Sequence, residues 1–515
     1  MTWVSFWDWA AHDPDRLAVG EVDGRKISYG ELAERVHRTA HALIGQGLRP
    51  GDAVATILRN RSECLELFLA ALNCGWYYVP INHHGTIDDI AYVVENCEAR
   101  AVFVEPDFAA IATTALDRIG FPAEMRFAVE PAAGFVPAGD LRARGSSARP
   151  TGFPAGQVMQ YTSGTTGRPK GVRRPIEQCG ADELIGRMSW LLRSFGVEPG
   201  EGVHLVTSPL YHSAVHSIGT AALHLGQRIE LMERWTPEAC LERIARERVT
   251  STHMVATHFH RLLQLPEPVR ATADLSSLRH VLHGAVPTPV DEKRRMIEWW
   301  GPVIYEYYGS SEVGGTAVDS VEWLKRPGTV GRPFAISELK ILDDEGRELG
   351  PHQVGNIWMR QGDQEFSYFK DPEKTAKTVR GRFIHVGDHG YVDEDGYLFL
   401  CGRDAEIIIS GGVNIYPAAI EACLLGHPAV RDCGVIGAPN AEYGEEVKAV
   451  VSLNDGWPPT PETAAALIAH CRANLSGINV PRSVDFVAEL PRDPNGKLQK
   501  RRLRDGYWAG RERKL

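Results

Sequence analysis

Between residues 27 and 81 the sequence alternates between two periodicities, and this alternation constrains the fold more than any other feature. Ser28 and Glu31 read as a capping box that opens a helix. Leu32, Val36 and Leu43 recur on one face of that helix, and Gly47 ends the run. Residues 54–58 read as a buried strand, 62–74 as a helix and 76–81 as a strand again. Such alternation calls for crossover connections on a mostly parallel sheet, an α/β architecture. The pattern resumes at 203–208, 227–232 and 281–286, after a connector at 130–157 rich in Pro, Gly, Ala and Ser. No internal repeat is visible. At 515 residues the chain has room for about three domains or subdomains.

Near residue 400 the texture changes. Gly402-Arg403-Asp404-Ala405-Glu406 precedes the apolar run Ile407-Ile408-Ile409 and then Gly411-Gly412. Beyond it the sequence predicts a helix at 417–425, strands at 430–436 and 447–453, a helix at 461–475 and a strand at 484–490. This is a compact α+β unit of about 110 residues. The predicted division is therefore residues 1–402, a hinge at 403–406 and residues 407–515.

Composition excludes several classes. The chain is 43% hydrophobic and 24% charged, an ordinary globular balance, and its net charge of −10 opposes a nucleic-acid binder. Nine scattered cysteines without a Cys-x-x-Cys pair argue against a disulfide framework or structural zinc, and fit a reducing cytoplasm. The histidines near 253–283 show no metal-binding helical spacing with an acid. No apolar run reaches the 18 or so residues of a membrane span. Trp3, Phe6, Trp7 and Ala10 fall at helical spacing without flanking lysines, which favours an N-terminal helix docked on the core over one lying on a membrane.

The richest chemical signal is Tyr161-Thr162-Ser163-Gly164-Thr165-Thr166-Gly167-Arg168-Pro169-Lys170-Gly171. Glycines let the backbone approach oxygens closely, hydroxyls add donors, and lysine supplies a point charge; this is how a phosphate loop is built. It is not a Walker A loop, because Pro169 precedes Lys170 where that motif needs Gly-Lys-Ser/Thr.

This segment resembles the signature loop of the adenylate-forming superfamily, which includes acyl-CoA synthetases, fatty-acid–CoA and aryl-CoA ligases, peptide-synthetase adenylation domains and beetle luciferases. Further matches run from about residue 160 to 500. The resemblance implies a large N-terminal domain of mixed and parallel sheets flanked by helices, and a small mobile α+β C-terminal lid. It also implies site residues. Thr162, Ser163, Gly164, Thr165, Thr166, Gly167 and Lys170 would hold the β and γ phosphates. Tyr305-Glu306-Tyr307-Tyr308-Gly309-Ser310-Ser311-Glu312 is similar to the family's aromatic-Gly-x-Thr-Glu pattern, with Ser311 in place of threonine. Tyr308, next to Tyr307 and Gly309, would stack on adenine. Glu312, with Thr162, would carry Mg²⁺, a hard cation that wants oxygen ligands. Asp388, preceded by Val386-Gly387 where the family has Thr-Gly, would accept hydrogen bonds from the ribose hydroxyls. Arg403 would contact ribose or phosphate. Ala405 departs from the Asp or Lys usual at the pivot.

The remaining family segments concern the acid and the thiol. Gly284 and Ala285, in His283-Gly284-Ala285-Val286-Pro287, would make room for adenine and acyl group. His212, after Pro209-Leu210-Tyr211, would border the substrate carboxylate, although a structural histidine suits the same residues. Gly411 and Gly412, in Ser410-Gly411-Gly412-Val413-Asn414-Ile415-Tyr416-Pro417, would line the pantetheine tunnel, and the same glycines suit a tight turn. Lys497 follows a Pro494-Asn495-Gly496 turn that would hold it at a loop tip, where it matches the lysine that stabilises the α-phosphate during adenylation. The expected function is an AMP- and pyrophosphate-forming carboxylic acid–CoA ligase using ATP, Mg²⁺ and CoA on a medium or long aliphatic, alicyclic or aryl acid. The rivals are passage of the acyl group to a carrier-protein thiol, an amine or another small nucleophile, a non-catalytic nucleotide-binding scaffold, and membrane-associated fatty-acid handling. No nucleic acid and no integral membrane association are expected, and the sequence leaves room for a homo-oligomer.

Overall fold

The computed structural model describes residues 5–162, 169–285, 288–411, 413–492 and 496–509. The chain divides into two compact units: Met1–Met254, Leu265–Leu282 and Gln364–Arg380 form the first, and Val255–Gln264, His283–Asp363 and Gly381–Leu515 the second.

In the first unit the alternation read from the sequence becomes a six-stranded sheet. Its order is Val136–Pro137, Arg126–Ala128, Ala99–Val104, Ala53–Ile57, Tyr77–Pro80 and Gln157–Val158. Every neighbouring pair is parallel. A parallel sheet needs both faces covered, which is why Ala53–Ile57 and Tyr77–Pro80 are buried along their whole length. The helix Ser62–Cys74 has the predicted bounds and is buried on all sides; Gly75, left-handed at φ +74, ends it. The helix Tyr29–Gly45 buries Leu32, Val36 and Leu43. Its cap differs from the expectation in one half. Ser28 Oγ accepts the Glu31 N–H at 3.1 Å, but the Glu31 carboxylate turns outward to Arg35 at 2.7 Å, an i,i+4 ion pair that competes with the reciprocal bond.

A second parallel run joins Leu17–Gly20, Arg228–Leu231, Val203–Val206 and Ser251–Met254. The N-terminal helix Phe6–His12 docks on its own unit. Phe6 and Trp7 are buried, the Phe6 ring lies 5.4 Å from Tyr29, and Trp9 Nε1 donates to the His224 carbonyl. The connector at 130–157 is not wholly irregular: it contributes Val136–Pro137 to the sheet edge and a short helix, Ala138–Arg142.

The second unit is antiparallel where the first is parallel. Ile304–Gly309, Gly314–Asp319, Thr329–Pro333, Leu398–Arg403, Asp388–Val392 and Gly355–Gln361 pair in that order, and Ser337–Leu342 adds to the last. Its C-terminal part builds a separate sheet from Val413–Ile415, Ile408–Ser410, Gly444–Leu453 and Val430–Asn440, with Ser483–Phe486 parallel to Gly444–Leu453. The helices Pro417–Leu425 and Pro461–Asn474 pack their apolar residues onto it. Ile408, Ile420, Leu424, Val435, Val447, Val451 and Leu467 form the resulting core. Among the described residues no helix is long and apolar enough to cross a membrane, and all nine cysteines are free.

Candidate nucleotide-binding and active site

Two strand ends frame the candidate phosphate loop. Gln160–Thr162 and Lys170–Arg173 pair antiparallel, with Lys170 directly opposite Thr162. The hairpin thus brings the first hydroxyl of the loop and its lysine side by side. Lys170 Nζ lies 3.3 Å from an Asp371 carboxylate oxygen and over the Tyr368 ring. Ser163, Gly164, Thr165, Thr166 and Gly167 lie outside the described residues. His212, also in the first unit, immediately precedes the helix Ser213–His224 without a side-chain capping bond. Burial, reinforced by His253, His83 and His84, pushes its imidazole down to about 3. It is therefore neutral near pH 7, with a buried Nε2 that has no hydrogen-bond partner among the described residues. A neutral imidazole beside a carboxylate acts through a hydrogen bond, not through charge.

The second unit assembles the other predicted nucleotide residues. The strand Ile304–Gly309 alternates its side chains, burying Ile304 and Glu306 on one face and setting Tyr305 and Tyr307 on the other. Tyr308 follows at its end and donates its hydroxyl to Asp388 Oδ2 at 2.6 Å. Asp388 and Arg403 are direct partners across the antiparallel pair Asp388–Val392 and Leu398–Arg403. Arg403 Nε donates to Asp388 Oδ1 at 2.6 Å. One buried carboxylate thus gathers a phenol and a guanidinium. Burial, with Asp388 next to it, pushes the Tyr308 phenol well above its ordinary range. The charge of Asp388 holds the Arg403 guanidinium above its usual value against burial. The Tyr308 phenol and the Arg403 guanidinium therefore keep their protons at physiological pH.

Gly284 lies against Tyr307. A β-carbon on Gly284 would fall 2.7 Å from the Tyr307 carbonyl oxygen and 2.8 Å from its ring, so only glycine lets the chain pass there. Ala285 follows at φ +68, a left-handed conformation that a non-glycine residue adopts at a cost of roughly 1 kcal/mol. This bend ends the strand at His283, three residues short of the sequence expectation of 286. Beneath the Tyr307–Tyr308 strand lies a buried ion pair: Lys293 Nζ bonds Glu306 Oε2 and sits 4.6 Å over the Trp323 ring. Burial pushes the Glu306 carboxyl up and the Lys293 amine down, and each partner's charge opposes that.

Glu312 stands in the tight turn after Gly309. The Ser310 N–H donates to the Val313 carbonyl, and Ser310 Oγ accepts from Glu312 and Val313 N–H groups at 3.2 Å. Gly314 N–H donates to Gln361 Oε1. Ser311 lies between Ser310 and Glu312 in this turn. A carboxylate and a hydroxyl in such a turn are hard oxygen donors of the kind Mg²⁺ takes.

Lys497 is exposed at a loop whose stem is closed on both sides. Arg492 and Leu498 form a β-bridge, and Gln499 N–H donates to the Pro491 carbonyl. Arg492 grips Asp432 with two nitrogens, at 2.8 and 2.6 Å, and also donates to the Gly496 carbonyl. Thr257 Oγ1 donates to that same carbonyl at 3.4 Å. Gly496 is buried at φ +77; residues 493–495, which carry the rest of the expected turn, lie outside the described residues. Gly411 sits at φ +59 and donates its N–H to the Tyr443 carbonyl, while Ser410 pairs with Val413. Gly412 lies outside the described residues. Sequence reasoning missed Thr257, Gln361, His385 and His389. No local motif marks them, because their partners lie 15 to 239 residues away.

Comparison with known proteins identifies the family. Residues 6–367 match the family of AMP-binding enzymes, and residues 419–497 match the AMP-binding enzyme C-terminal domain. The chain is 32% identical to a feruloyl-CoA synthase of Amycolatopsis sp, over 93% of this chain and 94% of that protein. It is 29% identical to the fatty acid–[acyl-carrier-protein] ligase ScoC of Streptomyces coeruleorubidus, over 98% of this chain and 96% of that one. The solved structure of ATP-bound MatB from Rhodopseudomonas palustris superposes with a TM-score of 0.84 at 30% identity, covering 96% of both chains. A buried carboxylate that gathers an aromatic hydroxyl and an arginine, a hairpin that closes a hydroxyl-rich loop, and a lysine held on a braced tip thus stand on a chain that belongs to the AMP-binding enzymes of the adenylate-forming superfamily.

Proposed function

We propose that the protein is an ATP-dependent carboxylic acid–CoA ligase that makes an acyl-adenylate and then a CoA thioester. The observation that carries this is the Tyr308–Asp388–Arg403 cluster next to the Gly284–Tyr307 contact. It offers an aromatic face, a carboxylate acceptor for ribose hydroxyls and a cation for phosphate within one strand layer. In the first step a carboxylate oxygen of the acid attacks the α-phosphorus, and the bond to pyrophosphate breaks. Lys497 stabilises the charge that develops on the α-phosphate, Lys170 and the loop that Thr162 opens hold the outgoing phosphates, and neutral His212 borders the acid. Glu312 and Thr162 would hold Mg²⁺, which when bound neutralises phosphate charge. In the second step the CoA thiol, passing Gly411 and Gly412, attacks the acyl carbonyl. The bond to AMP breaks and the thiol proton goes to solvent.

The chain is read as a body of residues 1–402, a hinge at 403–406 and a lid of 407–515. Support comes from the separate hydrophobic core after residue 408 and from the two family matches, which end at 367 and begin at 419. Nine free thiols favour a reducing cytoplasm. A second reading, transfer to a carrier-protein thiol, is favoured by the similarity to ScoC.

The test is incubation with ATP, Mg²⁺ and a panel of acids (ferulate, 2-succinylbenzoate, fatty acids of graded length), with and without CoA, scoring pyrophosphate, AMP and thioester. Acid-dependent pyrophosphate release with acyl-CoA formation is expected. Adenylation that yields product only with a carrier protein selects the second reading, and no acid-dependent release refutes both.

A further inference from the structure

A charged cluster that the ligase reading leaves unused surrounds residue 404. His389 Nε2 bonds Asp404 Oδ1, and His385 Nε2 stands 3.5 Å from Asp404 Oδ2. His385 is itself fixed: its Nδ1 donates to the Ile357 carbonyl at 2.8 Å, and its ring stacks on Trp358 at 5.1 Å. The Asp404 N–H donates to the Gly387 carbonyl at 2.9 Å. Asp404 is therefore tied to the strands Gly355–Gln361 and Asp388–Val392. Two residues later the ties change. Glu406 bonds Lys500 Nζ at 3.0 Å, and the same ammonium bonds Glu421 at 2.9 Å. Lys500 opens the helix Lys500–Tyr507, and Glu421 lies in Pro417–Leu425, which packs on the C-terminal core. Between the two sets of ties the sequence places a single residue, Ala405.

We infer that His385 and His389 are positioning residues: they pin Asp404 as the fixed side of a one-residue joint whose moving side is Glu406 clamped by Lys500, and so confine lid rotation to the bonds around Ala405. This rests on the two-step ligase reading. Rotation before Asp404 would break both imidazole contacts and the bond to Gly387. Rotation after it keeps all of these and the Glu406–Lys500 pair on the moving side, and gives up the bond from the Ile407 N–H to the Arg403 carbonyl that spans the joint.

The charges facing the cluster set its response to pH. Burial works against the His385 imidazolium, but Asp404, the Ile357 carbonyl and Asp388 outweigh it and hold it above its ordinary value. Both histidines hold the Asp404 carboxyl far below the usual range against its burial. Arg403 faces Asp388, and Tyr416 lies against His389 with its ring 5.9 Å away. The pin is therefore strongest while the His385 imidazole is protonated, and loosens as pH rises through its raised value.

The test compares wild type with His389→Gln, Asp404→Asn, their double variant and Lys500→Met. Hydrogen exchange over residues 398–410, corrected for intrinsic rate, needs no substrate. The Asp404 amide is expected to exchange about tenfold faster in each of the first two variants and no faster in the double. In Lys500→Met it should stay protected while residues after 405 loosen. With an acid that the panel shows to be adenylated, the ratio of thioester formation from preformed acyl-adenylate to pyrophosphate exchange should shift about fivefold in His389→Gln. A merely structural role would lower both steps together. Unchanged exchange, effects that multiply in the double variant, or an unchanged ratio overturns the inference in an enzyme that adenylates. If wild type adenylates no acid, the ligase reading and the joint's role in it fall together, whatever the exchange shows.

Discussion

Gly496→Ala is the most exacting test of how the lysine tip is held. Gly496 has φ +77, so an alanine there carries the left-handed cost of roughly 1–2 kcal/mol. The new β-carbon would also fall 2.0 Å from Thr257 Oγ1 and 2.6 Å from Thr257 Cβ. A rotamer change can move the hydroxyl but not Cβ, and ordinary contact between such carbons begins near 3.5 Å. The tip must therefore retreat by about 1 Å, carrying Lys497 with it, and a displacement of that size in a reacting array costs about a hundredfold in rate. If the braced tip is the arrangement in which Lys497 works, acid-dependent pyrophosphate exchange falls about that far in Gly496→Ala. Thioester formation from preformed acyl-adenylate, which in the proposed mechanism does not use Lys497, changes little. Thr257→Gly removes the obstructing carbon, so the double variant should recover most of the loss and retain only the backbone strain. Exchange at the wild-type rate in Gly496→Ala, or no recovery in the double variant, would refute the reasoning.

Three further outcomes can be measured on the same preparations. Lys497→Ala should lower adenylation by about 3–4 kcal/mol in activation free energy, some hundredfold to a thousandfold, with the thioester step spared; equal loss of both steps would remove the assigned role. Lys293→Met leaves Glu306 buried without its partner and should cost about 3–5 kcal/mol by urea unfolding, whereas Lys293→Met/Glu306→Leu should regain most of it. The pH dependence of stability should carry the mark of the pinned joint. His385 has a raised value, so its contribution is full below about pH 6.5 and is lost as pH rises through the raised value; Asp404 is depressed, so its contribution is full above about pH 4 and is lost only in stronger acid. A urea titration in which His385→Gln leaves the pH 6 to 8 slope untouched would contradict this.

The elements with strong local signals were legible, and the reason is physical. Ser62–Cys74 and Pro417–Leu425 have the bounds that apolar spacing, a glycine stop and a proline start predict. A helix boundary is a local event, decided by caps within one turn. The end of the strand at His283 was not legible, because it depends on the left-handed turn at Ala285, and nothing in alanine's intrinsic preference announces φ +68. Glu31 was misassigned as half of a capping box because Arg35 offered it a competing partner one turn on.

The site shows the same division. Asp388 and Arg403 could each be picked from a short motif, but their pairing could not. It depends on the register of two strands that carries a shift between His389 and Gly390. Without that bulge, a uniform two-residue alternation would not set both the Asp388–Arg403 partnership and the downstream ladder from Gly390 to Leu400 in one sheet. The same irregularity stands at His389, whose imidazole turns to Asp404. One local break in a ladder therefore serves two ends: it aligns the carboxylate that faces the proposed ribose, and it brings the histidine to the joint. A substitution that removes the bulge should then disturb nucleotide affinity and lid partition together, while His389→Gln disturbs the second alone. Measuring the KM for ATP beside the half-reaction ratio separates the two.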